Sequence, residues 1–206
     1  DAHVPAIVEA WYPGGEGGTA VAQLLAGDFS PAGRLPVTFY RSESDLPAFD
    51  DYAMKGRTYR YFTGEVLYPF GYGLSYTRFR YANANWGNWT GGDHSVSVEV
   101  SNIGRMDGDE VVQLYISNPD LEDQPTRSLI GFQRIHLAAG ETRTVTFHLV
   151  DRAMSTVDDA GVRAVRRGQV DLWIGGGQPY WRDGLAKLPG VEMSTVFAGK
   201  ERVLPK

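Results

Sequence analysis

Four histidines and 25 carboxylates are the first groups to weigh for proton or metal chemistry in this 206-residue chain, which contains no cysteine. His3, His94, His136 and His148 are scattered and lack the short spacing of metal ligands. No G-x-S-x-G elbow offers a serine for a His/Ser/Asp triad. Two carboxyl groups facing each other across a pocket can break a glycosidic bond. They stand about 5 Å apart for retention and further for inversion, and the surroundings must keep one of them protonated. The pairs Glu9 with Glu16 and Asp50 with Asp51 lie beside glycine or aromatic stretches, and both read as solvated surface. Glu16 follows an expected strand in a loop, where open sheets place ligands, so a rim or interface role fits it better than proton transfer. No catalytic residue and no metal ligand is assigned.

The glycine run Gly14-Gly15-Glu16-Gly17-Gly18 sits between an expected strand and helix, where backbone amides can cradle a phosphate. It lacks the G-x-G-x-x-G spacing and the P-loop lysine, and Glu16 would repel an anion. It reads as a tight turn, and no cofactor is expected.

The elements around these residues fall into two rhythms. Residues 6–11 (AIVEAW) form a short apolar run that predicts a buried strand. Thr19 is placed to cap a helix over 20–26, with Val21, Leu24 and Leu25 on one face and Gly27 as its left-handed stop. Residues 35–39 predict a second strand. This βαβ unit is too small to cover both faces of a sheet. It therefore implies neighbouring strands and helices that the sequence does not supply on its N-terminal side. Residues 41–76 carry many tyrosines and phenylalanines interrupted by Pro69, Gly71 and Gly73. They predict an ordered connector lying flat on a surface.

From Phe79 onward the pattern alternates. Segments 95–100, 110–117, 129–137, 142–149 and 169–174 alternate apolar and polar residues between turn signals. One more strand is expected around 193–197, with a loose end after it. About seven such strands predict an antiparallel β-sandwich. Trp173 belongs to a strand and is expected in the core. Trp86, Trp89 and Trp181 are the tryptophans to weigh as exposed sugar-stacking groups. Asn88-Trp89-Thr90 fits a glycosylation sequon.

Net charge is −5 with mixed signs, so there is no basic stripe to neutralise phosphates, and nucleic acid is not an expected partner. No apolar run reaches the roughly 20 residues that cross a bilayer as a helix, and no membrane partner is expected.

Three motifs carry a family resemblance: P-G-x-E-G-G from Pro13, G-x-x-x-P-x-G-x-L-P from Gly27 to Pro36, and Y-x-F-G-Y-G-L-S-Y from Tyr68 to Tyr76. With Gly56-Arg57-Thr58-Tyr59-Arg60-Tyr61-Phe62 they resemble the C-terminal stretch of family 3 glycoside hydrolases, of the β-glucosidase and β-xylosidase type. The segments 109–113 and 140–147 resemble the fibronectin type III-like domain that closes many of these enzymes.

The resemblance implies an α+β chain. A partial α/β (βαβ) segment with its aromatic linker spans residues 1–74, and an immunoglobulin/fibronectin III-like β-sandwich spans 75–206. It further implies a retaining, exo-acting β-glycosidase whose aspartate nucleophile and glutamate acid/base lie upstream of Asp1. The chain itself is then expected to be non-catalytic. Its partner would be the N-terminal barrel-bearing chain or segment, which holds the oligosaccharide, in a periplasmic or secreted setting. The alternative is a stand-alone carbohydrate-binding or adhesion sandwich.

Overall fold

The computed structural model describes residues 3–87, 93–180, 183–197 and 200–205. Its centre is a β-sandwich of seven long antiparallel strands. One sheet orders β3 (Phe79–Trp86), β4 (Asp93–Asn102) and β7 (Thr142–Val150). The other orders β11 (Gly190–Phe197), β10 (Gly168–Gly175), β5 (Gly108–Ser117) and β6 (Ser128–Leu137). The period-2 rule explains the core, because every second residue of a strand faces the opposite sheet. Val96, Val98 and Val100 meet Val112, Leu114 and Ile116, together with Phe147, Leu149, Leu172 and Ile174, in one buried cluster. The alternating segments read from the sequence all lie within these strands. β11 begins earlier than expected because it pairs with β10 along its whole length, from Gly168 opposite Phe197 to Gly175 opposite Gly190.

Two expectations for this half are corrected. The end of the chain is not loose: β12 (Arg202–Val203) pairs with β9 (Arg163–Val165), which pairs with β8 (Thr156–Val157). Arg202 also reaches Asp151 at 2.7 Å, which ties the segment down. Trp173 lies outside the core cluster. It alternates with the inward Leu172 and Ile174, so its half-buried ring covers the outer face of the sheet. There it packs on Gly175 and Gly190, where any Cβ would collide with it, and its Nε1 donates to the Gly177 carbonyl at 2.8 Å.

The first part of the chain contains α1 (Gly17–Ala26), a two-residue β1 (Phe39–Tyr40), a 3-10 turn at Glu43–Asp45, α2 (Thr58–Tyr61) and β2 (Val66–Tyr68). Helix α1 starts three residues before the expected position, with Glu16 rather than Thr19 at its N-terminal boundary. Its end is as read: Gly27 takes φ 81°, and the Gly27 and Asp28 amides close back on Leu24 and Gln23. Residues 6–11 belong to no ladder, Trp11 takes a left-handed φ of 50°, and of residues 35–39 only Phe39 is in a strand. A strand is defined by its neighbours, and none lies beside residues 6–11 among the described residues. The helix of the expected βαβ unit is therefore present without its two flanking strands.

The connector does lie on a surface, the outer face of the β10-β5-β6 sheet. Tyr59 stacks on Phe70 at 4.2 Å and meets Tyr115 edge-on at 6.1 Å, while its hydroxyl accepts from the Leu129 amide at 3.0 Å. Gln113 donates to the Gly71 carbonyl at 3.0 Å and accepts from the Tyr115 hydroxyl at 2.6 Å. Thus Gln113 and Tyr115, outward residues of β5, are buried by the connector. Gly71 has φ 77°, and a Cβ there would strike the Gln113 and Tyr115 side-chain oxygens. Gly71→Ala should therefore cost about 2 kcal/mol. Urea denaturation followed by tyrosine fluorescence checks this.

Candidate functional site

A buried ion pair joins the two halves beside the aromatic connector. Arg34 comes from the turn 27–36, which is held by reciprocal backbone bonds: Leu35 N donates to Tyr72 O at 2.9 Å and Gly71 N to Leu35 O at 2.7 Å. Glu110 stands on β5 in the same inward register as Val112, Leu114 and Ile116. One guanidinium nitrogen of Arg34, Nη2, donates to both Glu110 oxygens, at 3.1 and 3.2 Å. Arg34 Nε donates to the Gly176 carbonyl at 2.9 Å, and the Tyr81 hydroxyl donates to Glu110 Oε1 at 3.1 Å. The side chains of Arg34 and Glu110 are only 8% and 3% exposed, so neither charge has water to fall back on.

Burial pushes the Glu110 carboxyl above its ordinary value near 4.5, against the downward pull of the Arg34 charge and of hydrogen bonds from Tyr81, Arg34 and the Val111 amide. Burial, reinforced by the Glu110 charge, pushes the Tyr81 hydroxyl well above its ordinary range, so it remains a donor. A buried carboxyl beside an arginine and a tyrosine resembles an acid/base site in outline, but among the described residues no second carboxylate joins it. Its geometry is that of a latch. Sequence inspection missed both partners. The signal was a charge in an inward position of an alternating strand, which demands a buried cation.

The residues singled out from the sequence lie apart from this pair. Glu9 Oε1 accepts from the Trp11 amide at 2.9 Å, and Glu16 Oε2 accepts from the Thr19 hydroxyl at 3.2 Å; both carboxylates are exposed. Asp51 Oδ1 accepts from the Ala53 amide at 2.8 Å and shapes a loop, and Asp50 is exposed beside it. His94 is buried 3.5 Å from Asp151, His136 lies on the surface 2.7 Å from Asp109, and His3 and His148 are exposed. Among the described residues no three histidine or carboxylate side chains converge as metal ligands. Trp86 is half-buried and packs against the core rather than standing free for stacking. Trp89, Trp181 and the sequon at Asn88 lie outside the described residues.

The first half also leaves several large apolar side chains exposed. Val4, Ile7, Val8 and Trp11 are about half exposed, Leu25 is 68% exposed, and Tyr12 and Phe49 are 99% exposed. Isolated exposed apolar residues need no explanation, but Val4, Ile7, Val8, Trp11 and Tyr12 follow one another closely along the chain, which makes this segment a candidate interaction surface. The Trp11 and Phe39 ring centroids lie 6.4 Å apart, as do those of Phe39 and Tyr68.

A small α/β segment latched to an antiparallel, fibronectin-like β-sandwich defines the class of this chain. The description "Glycosyl hydrolase family 3 C-terminal domain" matches residues 1–76, and "Fibronectin type III-like domain" matches residues 110–178. A xylan 1,4-beta-xylosidase of Xylanibacter ruminicola is 45% identical over 172 residues, covering 82% of this chain and 20% of that protein. A periplasmic beta-glucosidase of Salmonella typhimurium is 35% identical over 191 residues, covering 85% and 25%. Among solved structures, beta-glucosidase 3B from Thermotoga neapolitana in complex with alpha-D-glucose superposes with a TM-score of 0.82 at 28% identity, covering 95% of this chain and 28% of that one. The chain belongs to glycoside hydrolase family 3, to the C-terminal domain and fibronectin type III-like domain of that family. It spans about a fifth to a quarter of the length of the curated relatives named here.

Two outcomes test the latch. Arg34→Ala should cost about 3 kcal/mol by stranding a buried carboxylate, and adding Glu110→Gln should recover part of that loss in urea denaturation. Glu110 holds its proton more tightly when folded than when unfolded, so its contribution is full below about pH 4.5 and is lost as pH rises through the folded-state value. Glu110→Gln should remove that fall from a plot of melting temperature against pH.

Proposed function

We propose that this chain is the non-catalytic C-terminal portion of a retaining, exo-acting β-glycosidase that removes terminal β-linked sugars from oligosaccharides. In this reading residues 1–74 complete the α/β layer that carries the glutamate acid/base, and residues 75–206 form the sandwich that braces it. The partner is the N-terminal barrel-bearing region, which supplies the aspartate nucleophile and binds the oligosaccharide.

The observation that carries this reading is the exposure of Val4, Ile7, Val8, Trp11, Tyr12, Leu25 and Phe49 within residues 4–49. A stand-alone binding module gains nothing from such exposure. An enzyme layer awaiting its remaining strands requires it. The length of the named relatives supports the same view, since each is about four to five times longer than the stretch matched here. In this reading Glu16, the residue that precedes α1, takes a rim or interface role and no part in proton transfer.

The purified 206-residue chain should bind an apolar dye such as anilinonaphthalene sulfonate and should leave nitrophenyl β-glucoside and β-xyloside intact. Supplying the upstream region in the same polypeptide should suppress dye binding and bring hydrolysis. Turnover by the chain alone would overturn the assignment.

A further inference from the structure

A cavity of about 550 Å³ opens where the connector meets the edge of the sandwich. Its walls come from α2, from the loop 118–125, from α3 (Asp151–Met154), and from β8 and β9. Three arginines line it, Arg60, Arg152 and Arg163, against a single lining acid, Asp123. Elsewhere the chain pairs arginines with carboxylates, as in Arg34–Glu110, Arg134–Asp109, Arg166–Asp158 and Arg202–Asp151. None of the three cavity arginines has a carboxylate partner among the described residues. Asp151, the acid next to Arg152 in sequence, is already taken by Arg202. Arg163 spends one nitrogen on the Ser155 hydroxyl at 3.1 Å, and Arg60 lies over the Tyr61 ring at 5.8 Å.

A second observation points the same way. Thr156, another lining residue, is 8% exposed, yet its buried hydroxyl has no hydrogen-bond partner among the described residues. A buried polar group without a partner costs stability unless something else meets it. Ser128, Asn118 and Gln124 add neutral donors and acceptors to the same wall.

We infer that this cavity is a binding site for a saccharide unit bearing a carboxylate, of the size of a hexuronic acid. The volume lies in the range of small-ligand pockets. Guanidinium forks match a carboxylate in geometry as well as in charge. The hydroxyl and amide groups match the ring hydroxyls of a sugar, and the tyrosines offer apolar edges to its C–H faces. The site is separate from the exposed apolar residues of the first half and stands whether or not the enzymatic reading holds.

Calorimetric titration of the 206-residue chain with sodium D-glucuronate, D-glucose and inorganic phosphate tests this. Glucuronate should bind saturably, at least tenfold more tightly than either glucose or phosphate, and more weakly as salt is raised. Arg152→Ala and Arg163→Ala should each weaken glucuronate at least tenfold. Arg152 is on the surface, so its variant keeps the fold, which circular dichroism verifies. Absence of saturable glucuronate binding, or affinity unchanged in a folded Arg152→Ala, would overturn the site. Phosphate binding as tightly as glucuronate would mark a simple anion site and would overturn the saccharide assignment, as would glucose binding as tightly as glucuronate.

Discussion

The arrangement of this chain depends on burying one charge pair, Arg34 with Glu110, where two structural units meet. Desolvating both ions is expensive, and a well-packed apolar substitute at such a place is often as stable or more so. The pair adds direction instead. A guanidinium that must satisfy Glu110 and the Gly176 carbonyl at once admits one orientation of the turn that carries it. Tyr81, kept protonated by burial, gives Glu110 a further donor from the opposite sheet. The latch thereby joins the first part of the chain to both layers of the sandwich.

The two units differ in completeness. The sandwich closes on itself: its inward side chains meet across two sheets and leave no large apolar residue of the core cluster exposed. The first unit is held by the latch and by the Tyr59–Phe70–Tyr115 stack on the outer sheet face, and it leaves Val4, Ile7, Trp11, Tyr12 and Phe49 in solvent. In the proposed reading, the complete sandwich braces this segment for the N-terminal region.

Much of this was readable from residue order where burial is local and periodic. The strands of the sandwich follow from two-residue alternation, and the glycine stop of α1 from its left-handed φ. The residues that define the seam were not readable, because their meaning depends on contacts across 76 positions of sequence, as between Arg34 and Glu110. Trp173 was misplaced for a related reason: alternation tells which residues share a face, and only the assembled sheet tells which face is the core. Residues 6–11 have strand composition but lack strand neighbours, so the ladder that composition implies does not form. The cavity lined by Arg60, Arg152 and Arg163 was invisible for the same reason, since 103 positions separate its outermost arginines.

Amide hydrogen exchange across residues 3–54 is the most direct test of the central claim that this segment is half of a shared layer. It should be measured on the 206-residue chain and on the whole enzyme to which the chain is proposed to belong. The account predicts fast exchange over this segment in the chain alone and strong protection in the whole enzyme, with the strands of the sandwich equally protected in both. Equal protection of residues 3–54 in the two proteins would show a layer already complete within this chain and would contradict the account.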